Sequence, residues 1–179
     1  MRKFALTMSL IVVLAVFFSL RSVHAHDLVL RGNVPVLVCF SPRGGCLEAI
    51  RQQIVKSRSE ILVQAYTIGS PILTQALVDA HKRGVRVQVI IDKSDRQEGL
   101  TPPAIMANAG IPVFLDGIHA VANNRVIVID REVVVTGSFN FNKASEELNA
   151  ENLLILKSGE LAAVYRENWL EHRKHSEPH

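Results

Sequence analysis

The stretch NNRVIVIDREVVVTGSFN, residues 123–140, decides the fold of this chain. Two runs of mostly β-branched residues, 125–129 and 133–136, flank the polar triplet at 130–132. Such runs around a short polar turn predict the paired strands of a β-hairpin. Gly137 and Ser138 then predict a loop at the end of the second strand.

The rest of the chain predicts one α/β domain. Before the hairpin, predicted strands and helices alternate, and after it come one more strand and a closing helix. The strands are expected at 34–40, 61–66, 85–91, 113–115 and 152–156, and the helices at 46–56, 71–83, 102–109 and 158–174. This order predicts a mixed, mostly parallel β-sheet flanked by helices on both faces. The tail from His172 to His179 is expected to be frayed.

The N-terminus predicts export. Arg2 and Lys3 precede an apolar run over 4–20, and small residues follow up to Ala25. This order is typical of a secretory signal peptide at 1–25, which leaves a domain at 26–179 in the periplasm or outside the cell, with no stable membrane insertion. A retained membrane anchor is the alternative, because the run is close to spanning length and Arg21 follows it.

Cleavage changes the charge balance. The full chain has 20 Lys and Arg against 17 Asp and Glu, a net charge of +3. Three of the basic residues and none of the acidic ones lie within 1–25, so the mature domain is neutral. Net charge therefore gives no support for binding to a polyanion, and any anion site must be local.

Two cysteines, Cys39 and Cys46, remain in the mature domain. In an oxidising compartment such a pair predicts a disulfide, with two free buried thiols as the alternative.

The segment at 123–140 resembles the signature of the phospholipase D superfamily. That signature is histidine, any residue, lysine, four residues, aspartate, six residues, glycine-serine, and an asparagine two positions beyond. Every spacing matches, and the residue types match at Asp130, Gly137, Ser138 and Asn140. Further segments resemble the small bacterial endonucleases of this superfamily, namely 38–42, 61–66, 90–94 and 137–144.

Two positions of the signature differ. Asn123 stands where the family has the histidine that attacks phosphorus, and Arg125 stands where it has lysine. An amide nitrogen offers neither a nucleophilic lone pair nor a proton near neutral pH. Arginine keeps the positive charge, but its planar guanidinium differs in shape from an ammonium group.

The resemblance also implies roles for the other residues. Arg125, Ser138 and Asn140 would bind the phosphate of the substrate, the last two by donating hydrogen bonds. Glu151 would orient the residue at position 123, and Asp130 would act through the turn. The expected catalytic set is Asn123, Arg125, Asp130 and Glu151. Because each chain has one motif, the resemblance implies a homodimer with a shared active site. It implies no metal and no cofactor.

Other histidines do not replace the missing one in this interpretation. His119 lies four residues before Asn123, a span of about 13 Å in an extended chain, and is expected to be an ordinary loop residue. The resulting hypothesis is a metal-independent nuclease-type phosphodiesterase, acting on DNA, RNA or another phosphodiester, with reduced or lost activity. A non-catalytic phosphate-binding or nucleic-acid-binding module and a phospholipid hydrolase remain the alternatives.

Overall fold

The computed structural model describes residues 28–95 and 99–179. The predicted signal peptide falls on residues outside these ranges. Within the ranges, none of the helices is both long and apolar enough to cross a membrane.

The described residues form an eight-stranded sheet in the order β1-β7-β6-β5-β2-β3-β4-β8. The strands are β1 Val36–Ser41, β2 Glu60–Ala65, β3 Arg86–Asp92, β4 Val113–Asp116, β5 Arg125–Ile129, β6 Val133–Gly137, β7 Glu151–Lys157 and β8 Glu177–Pro178. The predicted hairpin is confirmed as β5 and β6, with Asp130 and Arg131 at its turn in the left-handed backbone region.

The sheet is mixed, as predicted, but it is not mostly parallel. Only β2 with β3 and β3 with β4 pair in parallel, whereas the other neighbouring strands pair antiparallel. The prediction overestimated the parallel share because β5, β6 and β7 are consecutive in the chain and also neighbours in the sheet, without the crossover that parallel pairing requires.

Five α-helices accompany this sheet in the described residues. They are α1 Cys46–Lys56, α2 Pro71–Lys82, α3 Pro102–Asn108, α4 Lys143–Glu147 and α5 Gly159–His175. Their starts follow local chemistry: the Ser70 side chain accepts a hydrogen bond from the N–H of Leu73, and Pro71 occupies the first turn. Ser158 caps α5 in the same way.

Helices cover both faces of the sheet, as predicted. One face packs α1, α2 and α3 against a large apolar core that includes Ile50, Leu77 and Met106. The other face packs α5, where Trp169 is buried and its indole N–H donates to the carbonyl of Val63 over 2.9 Å.

One expectation about the C-terminal end of the domain needs correction. The C-terminal tail is ordered rather than frayed, because α5 continues to His175 and β8 then pairs with β4.

Cys39 and Cys46 are both buried and carry free thiols in the structure, so the expected disulfide is not present in it. Burial and the neighbouring Cys39 raise the pKa of Cys46 to about 12.

Candidate functional site

The motif residues meet at one edge of the sheet. Arg125 begins β5 and pairs with Ala65, the last residue of β2. Gly137 ends β6 and pairs with Leu153 near the start of β7. Strand ends from different parts of the chain therefore present their side chains at a common edge.

Two buried aromatic side chains hold the loop after β6 in place. Phe139 and Phe141 are fully buried in the larger core, whereas Ser138 and Asn140 between them are only partly buried. The backbone N–H groups of Ser138 and Phe139 both donate to the carbonyl of Asn152, at 3.1 and 3.2 Å. The two aromatic anchors thus leave the intervening polar side chains at the site.

Gly137 allows this close approach of strands. Its φ is 147°, and a Cβ built on it would lie 2.3 Å from the carbonyl oxygen of Asn152. Any larger residue would have to push β6 away from β7. The glycine of the motif is therefore required by packing against Asn152.

Arg125 links the two halves of the motif. Its Nε donates to Oδ1 of Asn140 over 2.7 Å, and its Nη1 donates to the carbonyl of Asn123 over 3.1 Å. A guanidinium has five N–H donors, so these two bonds leave others for a bound anion. With its oxygen engaged, Asn140 also keeps its amide N–H groups for an acceptor.

Glu151 and Ser138 form the second polar pair. The Ser138 hydroxyl donates to Oε2 of Glu151 over 2.6 Å, and Asn149 Nδ2 donates to Oε1 over 3.2 Å. The hydrogen bond from Ser138, helped by Asn149 and the nearby charge of Arg125, lowers the pKa of Glu151 below its usual value despite partial burial. This carboxylate is therefore ionised at neutral pH.

Asn123 is an exposed residue of the motif. Its backbone carbonyl accepts a hydrogen bond from Arg125. The hydrogen bonds of Glu151 run to Ser138, Asn149, Ser145 and Ser41 and not to Asn123. The expected support of position 123 by Glu151 stays a prediction.

Asp130, which was expected to act through the turn, does not join this group. It follows the far end of β5, beyond Ile129, whereas Arg125 begins that strand. Its carboxylate accepts hydrogen bonds from the backbone N–H groups of Arg58, Ser59 and Glu60, at 2.8 to 3.0 Å. Asp130 therefore fastens the hairpin turn to the start of β2.

A second polar cluster lies on the same edge of the sheet and was missed in the sequence. Asp116, at the end of β4, is fully buried and is surrounded by His119, His172 and His175. Burial raises the pKa of Asp116, but the hydrogen bonds from His172 and His119 outweigh it and bring its pKa to about 2. The sequence does contain two pairs of potential ligands three residues apart, at 116/119 and 172/175. Only the folded chain brings the two pairs together.

Comparison with known proteins identifies the family. Residues 50–173 match the family described as "Cardiolipin synthase, PLD-like domain". The chain belongs to the phospholipase D-like family. It is 40% identical over 135 residues to a protein named phospholipase D from Rickettsia felis. The aligned region covers 75% of this chain and 68% of that protein. Human mitochondrial cardiolipin hydrolase is 26% identical over 132 residues, or 73% of this chain and 52% of its own length.

Solved structures of the phospholipase D-like family share the fold. The crystal structure of Nuc, a phospholipase D family member from Salmonella typhimurium, superposes with a TM-score of 0.76 and is 33% identical, covering 82% of this chain and 99% of that one. NucT from Helicobacter pylori gives a TM-score of 0.75 over 82% of this chain and 100% of its own, at 18% identity, which shows the fold alone. The chain is therefore built as a phospholipase D-family phosphodiesterase.

Proposed function

We propose that this protein is an exported phosphodiesterase of the nuclease type that acts on nucleic acid without a metal at its phosphate site. We further propose that its activity is reduced because Asn123 stands at the position of the attacking histidine. The motif at 123–140 supports the proposal by its spacing, and the family membership supports the reaction class.

The observation that carries the proposal is the arrangement around Arg125. One guanidinium is held between Asn123 and Asn140, with Ser138 and the ionised Glu151 beside it. Preorganised donors of this kind hold phosphate oxygens and stabilise the charge that develops during transfer. A cation held in a fixed position needs little reorganisation when a phosphodiester binds.

Asn123 limits what this arrangement can do. Histidine at this position would attack phosphorus and hold the phosphoryl group on its ring nitrogen, and a second histidine would protonate the leaving oxygen. An amide can hold a phosphate oxygen by hydrogen bonding, but it cannot supply either step. The site is thus suited to binding a phosphodiester and poorly suited to cleaving it.

A phospholipid substrate is the second candidate, favoured by the apolar surface beside the site. Ile118 and Val121, on the segment that leads to Asn123, are 66% and 55% exposed. Tyr66, whose backbone N–H donates to the carbonyl of Asn124, is 37% exposed. Exposed apolar groups beside a phosphate site can contact acyl chains, and the relative from Rickettsia felis is named phospholipase D.

The likeness to Nuc supports the nucleic-acid proposal over the lipid one. The chain matches 99% of the length of Nuc and carries one motif. The second set of catalytic groups would then come from an identical subunit, with the site on a two-fold axis. Light scattering of the purified domain should give twice the mass of one chain if this dimer forms.

One experiment distinguishes the three candidate functions, which are nuclease, phospholipid hydrolase and non-catalytic binding module. The protein is incubated in EDTA with single-stranded and double-stranded DNA, with RNA, and with vesicles of phosphatidylcholine and cardiolipin. Slow cleavage of nucleic acid supports the proposal, and release of headgroup or phosphatidic acid from the vesicles supports the lipid candidate. Retention of DNA on a filter without cleavage supports the binding module and contradicts a present-day enzyme.

A further inference from the structure

The buried carboxylate of Asp116 is surrounded by three imidazoles. Nδ1 of His119 lies 2.9 Å from its Oδ1, and Nδ1 of His172 lies 2.6 Å from its Oδ2. Nε2 of His175 lies 3.4 Å from the same Oδ2. The side chain of Asp116 is wholly buried, whereas those of the histidines are 15% to 42% exposed.

The four side chains have the spacing of a metal site. One potential ligand atom from each residue lies within 4.8 Å of every other. The three rings are arranged evenly, with centroids 4.9, 5.3 and 5.3 Å apart. Ligand nitrogens on a tetrahedral zinc ion are about 3.4 Å apart for Zn–N bonds near 2.1 Å. The contacts of His119 and His172 with Asp116 are shorter than this and the widest separation in the group is longer, so small side-chain shifts in both directions would fit the cluster around an ion.

We propose that Asp116, His119, His172 and His175 bind one divalent transition metal, with zinc as the best fit. Imidazole nitrogens with one carboxylate suit Zn²⁺, and four protein ligands complete its tetrahedral shell. His172 and His175 lie in the last turn of α5, where the helix dipole also favours a cation. This site is separate from the phosphate site and does not rest on the proposed function.

Neighbouring cations do not fill the cluster. Arg173 stacks over the ring of Phe114, with 3.5 Å from its Cζ to the ring centroid. Lys93 Nζ donates to the carbonyls of Gly117 and His119, at 3.1 and 3.0 Å. Because these cations have other partners, the carboxylate of Asp116 remains directed at the imidazoles.

A metal at this position would be structural. Across the sheet, Arg125 pairs with Ala65, Ala65 with Ile91, and Ile91 with Leu115, so the cluster is about three strand spacings, or roughly 14 Å, from Arg125. That distance excludes direct contact with the phosphate. The metal would instead fasten the end of α5 to the segment at 117–124, which leads to Asn123.

Metal titration tests this proposal on the untagged mature protein. After chelation and dialysis, Zn²⁺ should bind at one ion per chain by calorimetry and by elemental analysis. At a zinc concentration about 100 times Kd, Tm should rise by about 5–10 °C. Co²⁺ should give the intense visible bands of tetrahedral coordination.

Two ligand variants and one control decide whether these histidines bind the ion. H119A and H175A each remove a partly exposed ring, and each should weaken zinc binding at least about tenfold, since even outer-shell partners are worth about 10–100-fold. H179A removes an exposed histidine from the same tail and should leave zinc affinity unchanged. The proposal is overturned if the parent protein binds no stoichiometric zinc. It is also overturned if H119A and H175A bind zinc as tightly as the parent protein does, which would point to the thiols of Cys39 and Cys46.

Discussion

Nε of Arg125 donates a hydrogen bond to Oδ1 of Asn140 over 2.7 Å, which joins the start of β5 to the loop after β6. The two residues lie 15 positions apart and on opposite sides of the hairpin. The bond fixes the guanidinium in the position where a phosphate would meet it. A flexible lysine or arginine side chain would otherwise lose considerable side-chain entropy on binding.

The first prediction concerns phosphate binding by Arg125. R125Q should weaken binding of a short single-stranded oligonucleotide about tenfold or more, because charge-assisted hydrogen bonds to phosphate are lost. R58Q is the matched control: it makes the same charge change at the opposite end of the sheet, where Arg58 contributes its backbone N–H to Asp130. Fluorescence anisotropy measures both. Equal weakening by the two variants would mean that only overall charge matters.

The second prediction concerns the hairpin turn. D130N should lower the free energy of unfolding by roughly 1–3 kcal/mol at neutral pH, because a neutral amide accepts hydrogen bonds from N–H groups less strongly than a carboxylate. Urea denaturation measures the change.

The pH dependence of this effect follows from the pKa of Asp130. Burial raises this pKa, but hydrogen bonds from Glu60, Ser59 and Arg58 outweigh it and hold it below its usual value of 3.8. The stabilisation is therefore present above that value and lost as pH falls through the lower folded-state pKa. The difference between parent and D130N should be constant above about pH 5 and shrink below about pH 4. A difference that grows on acidification would contradict the account.

The third prediction concerns the close contact at Gly137. G137A should destabilise the protein by roughly 2–4 kcal/mol, because its Cβ would meet the carbonyl of Asn152 and its φ is positive. G117A is the control, since a Cβ there meets nothing within 4 Å, and it should change stability by less than about 0.5 kcal/mol. Thermal and urea unfolding measure both variants. Similar stability of G137A and G117A would show that β6 and β7 can separate freely at the site.

The sequence predicted the local elements well and the long-range ones less well. The bounds of α1 and the capped start of α2 follow from periodicity and from Ser70 and Pro71, which are neighbours in sequence. The short helix α4 was missed because five residues are too few to show a helical period.

The candidate site was predictable for the same reason, and the histidine cluster was not. Arg125, Ser138 and Asn140 come together through one hairpin, so motif spacing was enough to bring them to one edge. Asp116 and His172 are 56 positions apart, and only the packing of α5 against the sheet brings them into contact. No local pattern reports such a contact.

The fourth prediction concerns export and the cysteines. Material recovered from outside the cytoplasm should begin at His26, with Cys39 and Cys46, which are free thiols in the structure, oxidised to a disulfide by the oxidising compartment. Intact-mass spectrometry should show a mass about two units below the dithiol form. Material that retains Met1, or thiols that alkylate without a reductant, would contradict export or bridging respectively.

The last prediction concerns catalysis at position 123. N123H should raise phosphodiesterase activity by about 10²–10⁴-fold, because imidazole supplies the nucleophile and the proton transfer that an amide lacks. R125K alone should change the rate far less, and the double variant should be fastest, because both groups act on one phosphate. N124H is the control, since it places an imidazole one position away from the motif.

The most direct test of the account of Asn123 compares the phosphodiesterase rate of the parent protein with that of the N123H and R125K double variant. A chromogenic phosphodiester in EDTA reports both rates. We expect the double variant to be faster by at least about a hundredfold, with a bell-shaped pH profile from two imidazoles. A parent protein that cleaves as fast as the double variant would contradict the account of Asn123.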